Sequence, residues 1–323
     1  MSTFSDLGNA LYSGERSFDF IGKRKYFYGV AGVMVVLSFI LPFLLHSGFN
    51  FGIEFKGGSE FRVAGVAAQS QSIATDAVHA VVPEAEATVT KVGTDSIRVQ
   101  TRQLEDEVSE EVRQALAEAY DIPAASVASS FVGPNWGADV TGKALSGLVT
   151  FVVLAAILMA LYFRTAKMSI AAVAALLHDL LITAGVYGTL GFEVTPAAVI
   201  GFLTILGYSL YDTVVVFDKI RENTFEVEFS EKSTFASQVN LAINQTLVRS
   251  VNTSVVAVLP VAAILFIGAS LLGAGTLRDI SLALFIGIVI GTYSTIFIAA
   301  PLYSHLREGE SKYAKAAAKI QAK

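Results

Sequence analysis

Six apolar runs, each long enough to cross a lipid bilayer, constrain this chain more than any other feature of its sequence. A helix needs about 20 consecutive apolar residues to span the hydrocarbon of a membrane. The runs are Tyr26–Leu45, Thr141–Phe163, Met168–Leu190, Pro196–Ile220, Ser250–Ala269 and Leu277–Leu302. The sequence therefore predicts an α-helical membrane bundle of six transmembrane helices.

The composition excludes several other classes of protein. Hydrophobic residues make up 53% of the chain and charged residues 16%, which is too apolar for a soluble protein of 323 residues. The net charge of −5 argues against a nucleic-acid binder. Because there is no cysteine, disulfide bonds, thiolate metal sites and cysteine nucleophiles are excluded.

The runs also divide the chain into parts with a predicted orientation. The parts are an N-terminal arm (1–26), a first transmembrane helix (27–45), a polar interval (46–139), transmembrane helices two to six (140–303) and a tail (304–323). Basic residues cluster on one side of the predicted bundle, as at Lys23–Lys25 and at Arg164. Because lysine and arginine mark the cytoplasmic side, we expect both termini there and the polar interval outside. Between helices four and five, Glu231–Leu247 is predicted to form a separate interfacial helix.

The polar interval carries the patterns of a small α+β domain. Period-two alternation predicts strands at NFGIEFKGGSEFRV, EATVTKV, DSIRVQTR and SVASSFV, the first with a bend or bulge at Gly57-Gly58. The longer period predicts helices at SQSIATDAVHAVV and EDEVSEEVRQALAEAY. The resulting order, βαββαβ, is typical of a ferredoxin-like sandwich. We therefore expect an extracytoplasmic ferredoxin-like domain with two helices over one face of an antiparallel sheet.

This interval shows no catalytic or metal-binding pattern. His79 has no second histidine or acid at ligand spacing, and Gly57-Gly58 is not followed by the basic helix start of a phosphate loop. The acids around Glu107 are typical of a solvated helix face. We therefore predict neither an enzyme nor a bound metal or organic cofactor.

An acid lies inside the fourth apolar run. Asp212 is about 24 Å along the predicted helix from Pro196, at about 1.5 Å per residue, which places it within the hydrocarbon. A carboxylate there costs on the order of 3 kcal/mol, so it is expected to face a partner or a water-filled path. The alternative is a structural hydrogen-bonding residue between helices. Asp218, nearer the basic end of the run, is expected to be a solvated interfacial charge.

A few other polar side chains lie within the apolar runs. They are His178 and Asp179 on helix three, Arg249 at the cytoplasmic entry of helix five, and Thr292 and Ser294 on helix six. His178 and Asp179 are adjacent in sequence and cannot share one helix face, so we expect two separate contacts. Helix four runs inward and helix five outward, so Asp212 and Arg249 lie in the same half of the membrane and can meet. An acid, a base and a histidine in one bundle are what a proton path requires.

Two of these polar features also have simpler explanations. Arg249 has the position of an ordinary basic flank on the cytoplasmic side of a transmembrane helix. Gly287-x-x-x-Gly291 is the spacing of a helix packing motif. Both explanations remain open at the level of the sequence.

Several longer motifs resemble those of the SecF family and occur in the same order. They are FDFIGKRK before helix one, FGIEFKGGS after it, VGP near the end of the polar interval, LLHDLLITAG on helix three, GYSLYDTVVVFDKIREN on helix four, INQTLVRSVNTS into helix five and GTYSTIFIAAPL on helix six. The resemblance covers nearly the whole chain. It departs from the usual residues of the family at Glu54, Ser59, Tyr211 and Lys219, of which only Tyr211 lies beside Asp212.

The resemblance implies a location, partners and an activity. SecF proteins are subunits of the bacterial inner membrane that pair with SecD and belong to the resistance-nodulation-division superfamily. They use the proton motive force to assist the secretion of polypeptides through the SecYEG channel. In the family, the acid of helix four and the arginine of helix five form the proton-transport pair, which corresponds to Asp212 and Arg249. The resemblance thus implies H⁺ as the coupling ion and a membrane lipid environment.

Two other functions remain open at this stage. The first is a passive scaffold or polypeptide-binding chaperone, whose helices only anchor the outer domain. The second is a self-contained drug exporter of the same superfamily, for which one set of six helices with one outer domain is half of the required architecture. A passive anchor has no use for a carboxylate in lipid, whereas a proton-driven device can draw about 2.3 kcal/mol per charge per 100 mV. Asp212 therefore favours the proton-driven reading.

Overall fold

The computed structural model describes residues 2–46, 48–66, 70–92, 96–225, 233–268 and 275–321. In chain order the helices are α1 (Ser2–Ser13), α2 (Arg24–His46), α3 (Ile53–Lys56), α4 (Gln71–Val81), α5 (Asp106–Ala119), α6 (Pro134–Phe163), α7 (Ala166–Thr189), α8 (Pro196–Thr224), α9 (Phe235–Ala263), α10 (Gly275–Ser294), α11 (Ala300–Arg307) and α12 (Ser311–Gln321). The strands are β1 (Asn50–Phe51), β2 (Gly58–Ala64), β3 (Thr88–Val92), β4 (Ser96–Thr101), β5 (Val127–Val132) and β6 (Glu193–Val194). Short π-helical segments at Ile264–Gly268 and Thr295–Ala299 extend α9 and join α10 to α11.

Six helices of the described chain are long and apolar enough to cross a membrane, which confirms the predicted bundle. They are α2, α6, α7, α8, α9 and α10 with its continuation α11. Helices α7, α8 and α10 bury about half of their most apolar stretches, whereas α2, α6 and α9 leave most of theirs exposed. The centre of the bundle is therefore built from α7, α8 and α10, and several polar residues on their inner faces, such as Asp179, Thr213 and Ser294, are shielded from the surroundings.

Close packing of α8 against α10 depends on glycine. A Cβ atom at Gly287 would overlap the side chain of Ile205, and one at Gly291 would lie 3.0 Å from the Cβ of Ser209. Small residues at such positions let two helix backbones approach closely. Gly287 and Gly291 therefore form the packing motif that their spacing predicts.

The polar interval folds around a four-stranded sheet. Its strand order is β3-β4-β2-β5, and all neighbouring strands are antiparallel. Helices α4 and α5 pack against each other and share a core with alternating side chains of the strands. Fully buried members of this core are Phe61, Val63, Val78, Ile97, Val99, Val112 and Leu116. The element order from β2 to β5 is βαββαβ, as predicted.

The prediction of one strand over NFGIEFKGGSEFRV is wrong in the first half of that stretch. The stretch NFGIEFKGGSEFRV is divided into β1, the helical turn α3 and β2. The chain turns at Gly57 and Gly58, whose φ angles of 76° and 144° are rarely adopted by residues with a Cβ atom. Strand β1 pairs in parallel with β6, which lies in the loop between α7 and α8. The domain and the bundle are thus joined by a small second sheet.

The predicted interfacial helix is also wrong as a separate element. From Phe235 the chain forms one continuous helix, α9, whose start is capped by Thr234 and Ser237; residues 231 and 232 lie outside the described ranges. No glycine or proline interrupts the chain between Leu247 and Ser250, so the helix has no reason to end there.

The N-terminal arm holds the first half of α9 in place. The backbone N–H of Phe18 donates to the side-chain oxygen of Asn244 at 2.7 Å, and that of Phe20 donates to Asn240 at 2.8 Å. Backbone groups that leave regular structure need such partners. The first turns of α9 are therefore stabilised by contacts within this chain.

Candidate functional site

Asp212 lies on α8 in the interior of the bundle. Helix α8 begins after Thr195, whose hydroxyl accepts a hydrogen bond from the Ala198 N–H at 3.2 Å, with Pro196 in the first turn. The Asp212 residue is only 6% exposed. Ser250 of α9 donates a hydrogen bond to its Oδ1 at 2.9 Å. Its Oδ2 is buried and has no hydrogen-bond partner among the residues that the structure describes.

Arg249 does not contact Asp212 in this conformation. The Arg249 residue is exposed, and the ion pairs of the described ranges do not include it. The next residue, Ser250, faces Asp212 instead, because successive residues of a helix point in directions about 100° apart. The sequence singled out Arg249 but not its neighbour Ser250, for which the pair Ser250 and Ser254, one turn apart, was the available signal.

Hydroxyl groups continue the polar contacts from Asp212 across α9 and α10. The hydroxyls of Ser254 and Thr292 are hydrogen-bonded to each other. One turn further along, the Thr213 and Thr295 hydroxyls lie 3.0 Å apart. A hydroxyl can both donate and accept a hydrogen bond. The Ser254 hydroxyl also donates to the Ser250 carbonyl, which links Thr292 to the Asp212 contact; we call Asp212, Ser250, Ser254 and Thr292 the polar layer.

A second buried acid lies on α7, next to the same face of α8. Asp179 is 0% exposed, and Ser209 donates to its Oδ2 at 2.6 Å. Ser209 precedes Asp212 by three residues, so both lie on one face of α8. The His178 Nδ1 is 3.4 Å from Asp179 Oδ1, which is long for a hydrogen bond. The two side chains thus approach each other, while each also has a neighbour of its own, Ser209 for Asp179 and the Tyr293 ring for His178.

The remaining predicted residues lie outside this layer. Asp218 is half-buried and accepts a hydrogen bond from the Tyr162 hydroxyl at 3.0 Å. Ser294 donates to the Gly291 carbonyl of its own helix at 3.1 Å. Tyr211 is 57% exposed and points away from the bundle interior, although it is adjacent to Asp212. None of these three side chains hydrogen-bonds to Asp212 in the described part of the chain.

The fold and the polar layer define a class of protein. Within the described ranges it is a polytopic membrane protein with six candidate membrane-spanning helices, two buried acids among its central helices and one folded domain between the first and second spans. Two family models match the chain: "Protein export membrane protein SecD/SecF, C-terminal" over residues 111–309, and "SecD/SecF GG Motif" over residues 43–64. The chain belongs to the SecD/SecF family.

Individual relatives and solved structures agree with this assignment. Protein translocase subunit SecF of Streptomyces coelicolor is 44% identical over 314 residues, covering 96% of this chain and 82% of that protein. Protein translocase subunit SecF of Mycobacterium tuberculosis is 43% identical over 321 residues, covering 95% and 72%. The crystal structure of SecDF, a translocon-associated membrane protein from Thermus thermophilus, is 31% identical with a TM-score of 0.75, covering 91% of this chain and 39% of that longer chain.

Proposed function

We propose that this chain is a proton-driven subunit of a protein-export machine, which pairs with SecD and assists polypeptides that leave the SecYEG channel. The observation that carries the proposal is the Asp212 carboxylate, buried in the bundle with one oxygen bonded to Ser250 and the other unpartnered. An ionised carboxylate is costly inside a membrane, and a proton that binds to it removes the charge and most of that cost. The names of the relatives, SecF and SecDF translocase subunits, support a role in protein translocation together with SecD.

In the proposed cycle, a proton from outside neutralises Asp212 and is later released to the cytoplasm. Neutralisation removes the need for a charged partner, so the packing of α8 against α9 and α10 changes. The hydroxyls of Ser250, Ser254 and Thr292 lie along this path and can exchange donor and acceptor roles as the proton passes. Arg249 acts as the gate, approaching Asp212 in another conformation and holding it ionised until the next proton arrives.

The folded domain is proposed to work on the outer side of a bacterial inner membrane, with both termini in the cytoplasm. Its strand order and two helices support a ferredoxin-like sandwich. The movement of this domain, driven from the bundle, would act on emerging polypeptide. The chain itself carries out no covalent chemistry in this proposal, and it needs no cofactor other than H⁺.

SecD is proposed to cover part of the exposed apolar surface of the bundle, and membrane lipid the rest. Helix α9 leaves most of its apolar stretch exposed. Arg249 on α9 and Tyr211 on the adjacent helix α8 are exposed as well. An exposed arginine at membrane depth is costly, so a partner helix is expected there. The related SecDF of Thermus thermophilus is a longer chain, of which this one covers 38%. A separate SecD chain is proposed to correspond to the remainder of that longer chain.

The test is the export of a secreted protein in cells depleted of their native copy of this chain. Export that this chain restores is expected to fall when an ionophore collapses the proton gradient. Membrane abundance of the chain is measured in the same cells. If restored export is unaffected by the ionophore, the chain is a passive scaffold or chaperone subunit and the proton-driven proposal is wrong.

The orientation gives a separate prediction. Protease added to intact spheroplasts is expected to cut between residues 46 and 139 and to leave the tail after residue 303 intact, because only the former segment is proposed to lie outside. The fragments are identified by mass spectrometry. Permeabilised spheroplasts are the control, in which the tail should also be cut. Cleavage of the tail in intact spheroplasts would reverse the proposed orientation.

A further inference from the structure

A cluster of polar and charged side chains joins the folded domain to the bundle at the start of α8. The Nη1 of Arg98 lies 2.6 Å from Glu193 Oε2, and its Nε lies 3.5 Å from Glu60 Oε1. The Gln100 amide donates to Glu193 at 2.7 Å and to Glu60 at 3.1 Å. We call Glu60, Arg98, Gln100 and Glu193 the domain latch. Its first three members lie on β2 and β4, and Glu193 lies in the loop between α7 and α8.

The domain latch is partly shielded from water and reinforced by the backbone. The Arg98 and Glu193 side chains are 21% and 12% exposed, so their attraction is screened less than that of a surface pair. Glu193 also belongs to β6, which pairs with β1. Beside it, the Gly52 N–H donates to the Val194 carbonyl at 3.0 Å. Glu193 is thus fixed to the domain by both its side chain and its strand.

On its other side, the Glu193 loop is the start of the helix that carries Asp212. Thr195 caps α8 and donates a hydrogen bond to Asp279 of α10 at 2.8 Å. Along α8, Asp212 lies about 24 Å from Pro196, at about 1.5 Å per residue. A shift of α8 or α10 along its axis is therefore passed to the Glu193 loop.

We propose that Arg98, Gln100 and Glu193 are positioning residues for the Asp212 helix, which transmit a rearrangement of α8 to the folded domain. This inference rests on the proposed function, in which such a movement does the work. The two covalent connections of the domain lead to α2 and α6, which bury little of their apolar surface. The domain latch leads instead to the centre of the bundle.

A nearby carboxylate weakens the domain latch. Glu54 of α3 lies close to Glu193, and its Oε2 is buried without a hydrogen-bond partner in the described ranges. Burial, and then repulsion from Glu193 and Glu60, raise the pKa of the Glu54 carboxyl. Three carboxylates thus surround the single guanidinium of Arg98. Removing the charge of Glu54 is expected to tighten the contact.

The test measures the position of the domain against the bundle. The chain has no cysteine, so spin labels are attached to two introduced cysteines, Ala64→Cys on the domain and Leu190→Cys at the end of α7, where both residues are exposed. Distances are recorded on the purified full chain in lipid nanodiscs. Asp212→Asn is expected to shift the mean distance by about 2 Å or more. Adding Glu193→Gln or Arg98→Gln should abolish that shift and broaden the distribution, whereas Glu54→Gln should narrow it.

The matched control is Arg113→Gln, which removes a comparable ion pair with Glu110 on α5 and should leave the distances unchanged. Export should fall about fivefold with Glu193→Gln alone, and the double variant should export no less than Asp212→Asn alone. The inference is overturned if Asp212→Asn leaves the distance unchanged, or if its shift persists in the latch variants. Should export prove independent of the proton gradient while the distances behave as expected, the proposed function fails and the domain latch stands.

Discussion

Asp212→Asn is expected to abolish the part of protein export that depends on the proton gradient, while insertion of the chain into the membrane is unchanged. Asparagine is close in size to aspartate and can still accept the hydrogen bond from Ser250, so the packing of α8 against α9 should survive. It cannot take up and release a proton. Each proton that crosses 100 mV supplies about 2.3 kcal/mol, which is more than a tenfold change in an equilibrium. We therefore expect gradient-dependent export to fall at least about tenfold.

The measurement is export of a secreted protein with and without an ionophore, normalised to the amount of each variant in the membrane. Asp218→Asn is the matched control, because it makes the same substitution on the same helix. Asp218 is half-buried and contacts Tyr162 rather than the polar layer. Because a partly solvated charge contributes little, its loss should change export by less than about twofold. Export by Asp212→Asn at the wild-type level and abundance would rule out Asp212 as the proton carrier.

Gly287→Leu is expected to disrupt the centre of the bundle. A Cβ at Gly287 already overlaps the side chain of Ile205 on α8, and leucine adds three more carbon atoms. Overpacking of a filled interior costs about 1–3 kcal/mol, and here it also forces apart the helices that carry Asp212 and Thr292. We expect a lower unfolding temperature of the purified protein in detergent and a lower amount of protein in the membrane.

Gly147→Leu is the control for that substitution. Gly147 lies on α6, and a Cβ there would meet no atom within 4 Å. The same side chain at this exposed, apolar position should change stability by no more than about 0.5 kcal/mol. Equal unfolding temperatures for the two variants would show that the contact between α8 and α10 is not as close as the structure has it.

Much of the architecture is set by local patterns that can be counted along the chain. The six membrane helices follow from the length of their apolar runs, and β2 to β5 follow from alternation and turn residues. The bend at Gly57-Gly58 was predicted, but the helical turn α3 before it was not, because its adjacent apolar residues fit a strand as well as a short helix. The continuous helix α9 was missed because a change in polarity, without a glycine or proline, does not end a helix.

For the candidate site, the sequence by itself determined which polar residues interrupt the apolar runs. Asp212 was found in this way, because the rise per residue gives its distance from the start of its helix, and Arg249 was found as the basic residue beside the fifth run. Only the tertiary structure decided that Ser250 meets Asp212 while Arg249 is exposed, since that depends on the rotation of α9 about its axis. Only the tertiary structure also brought Arg98 to Glu193. Residues so far apart in sequence meet through the packing of the domain on the bundle, and no local pattern encodes that packing.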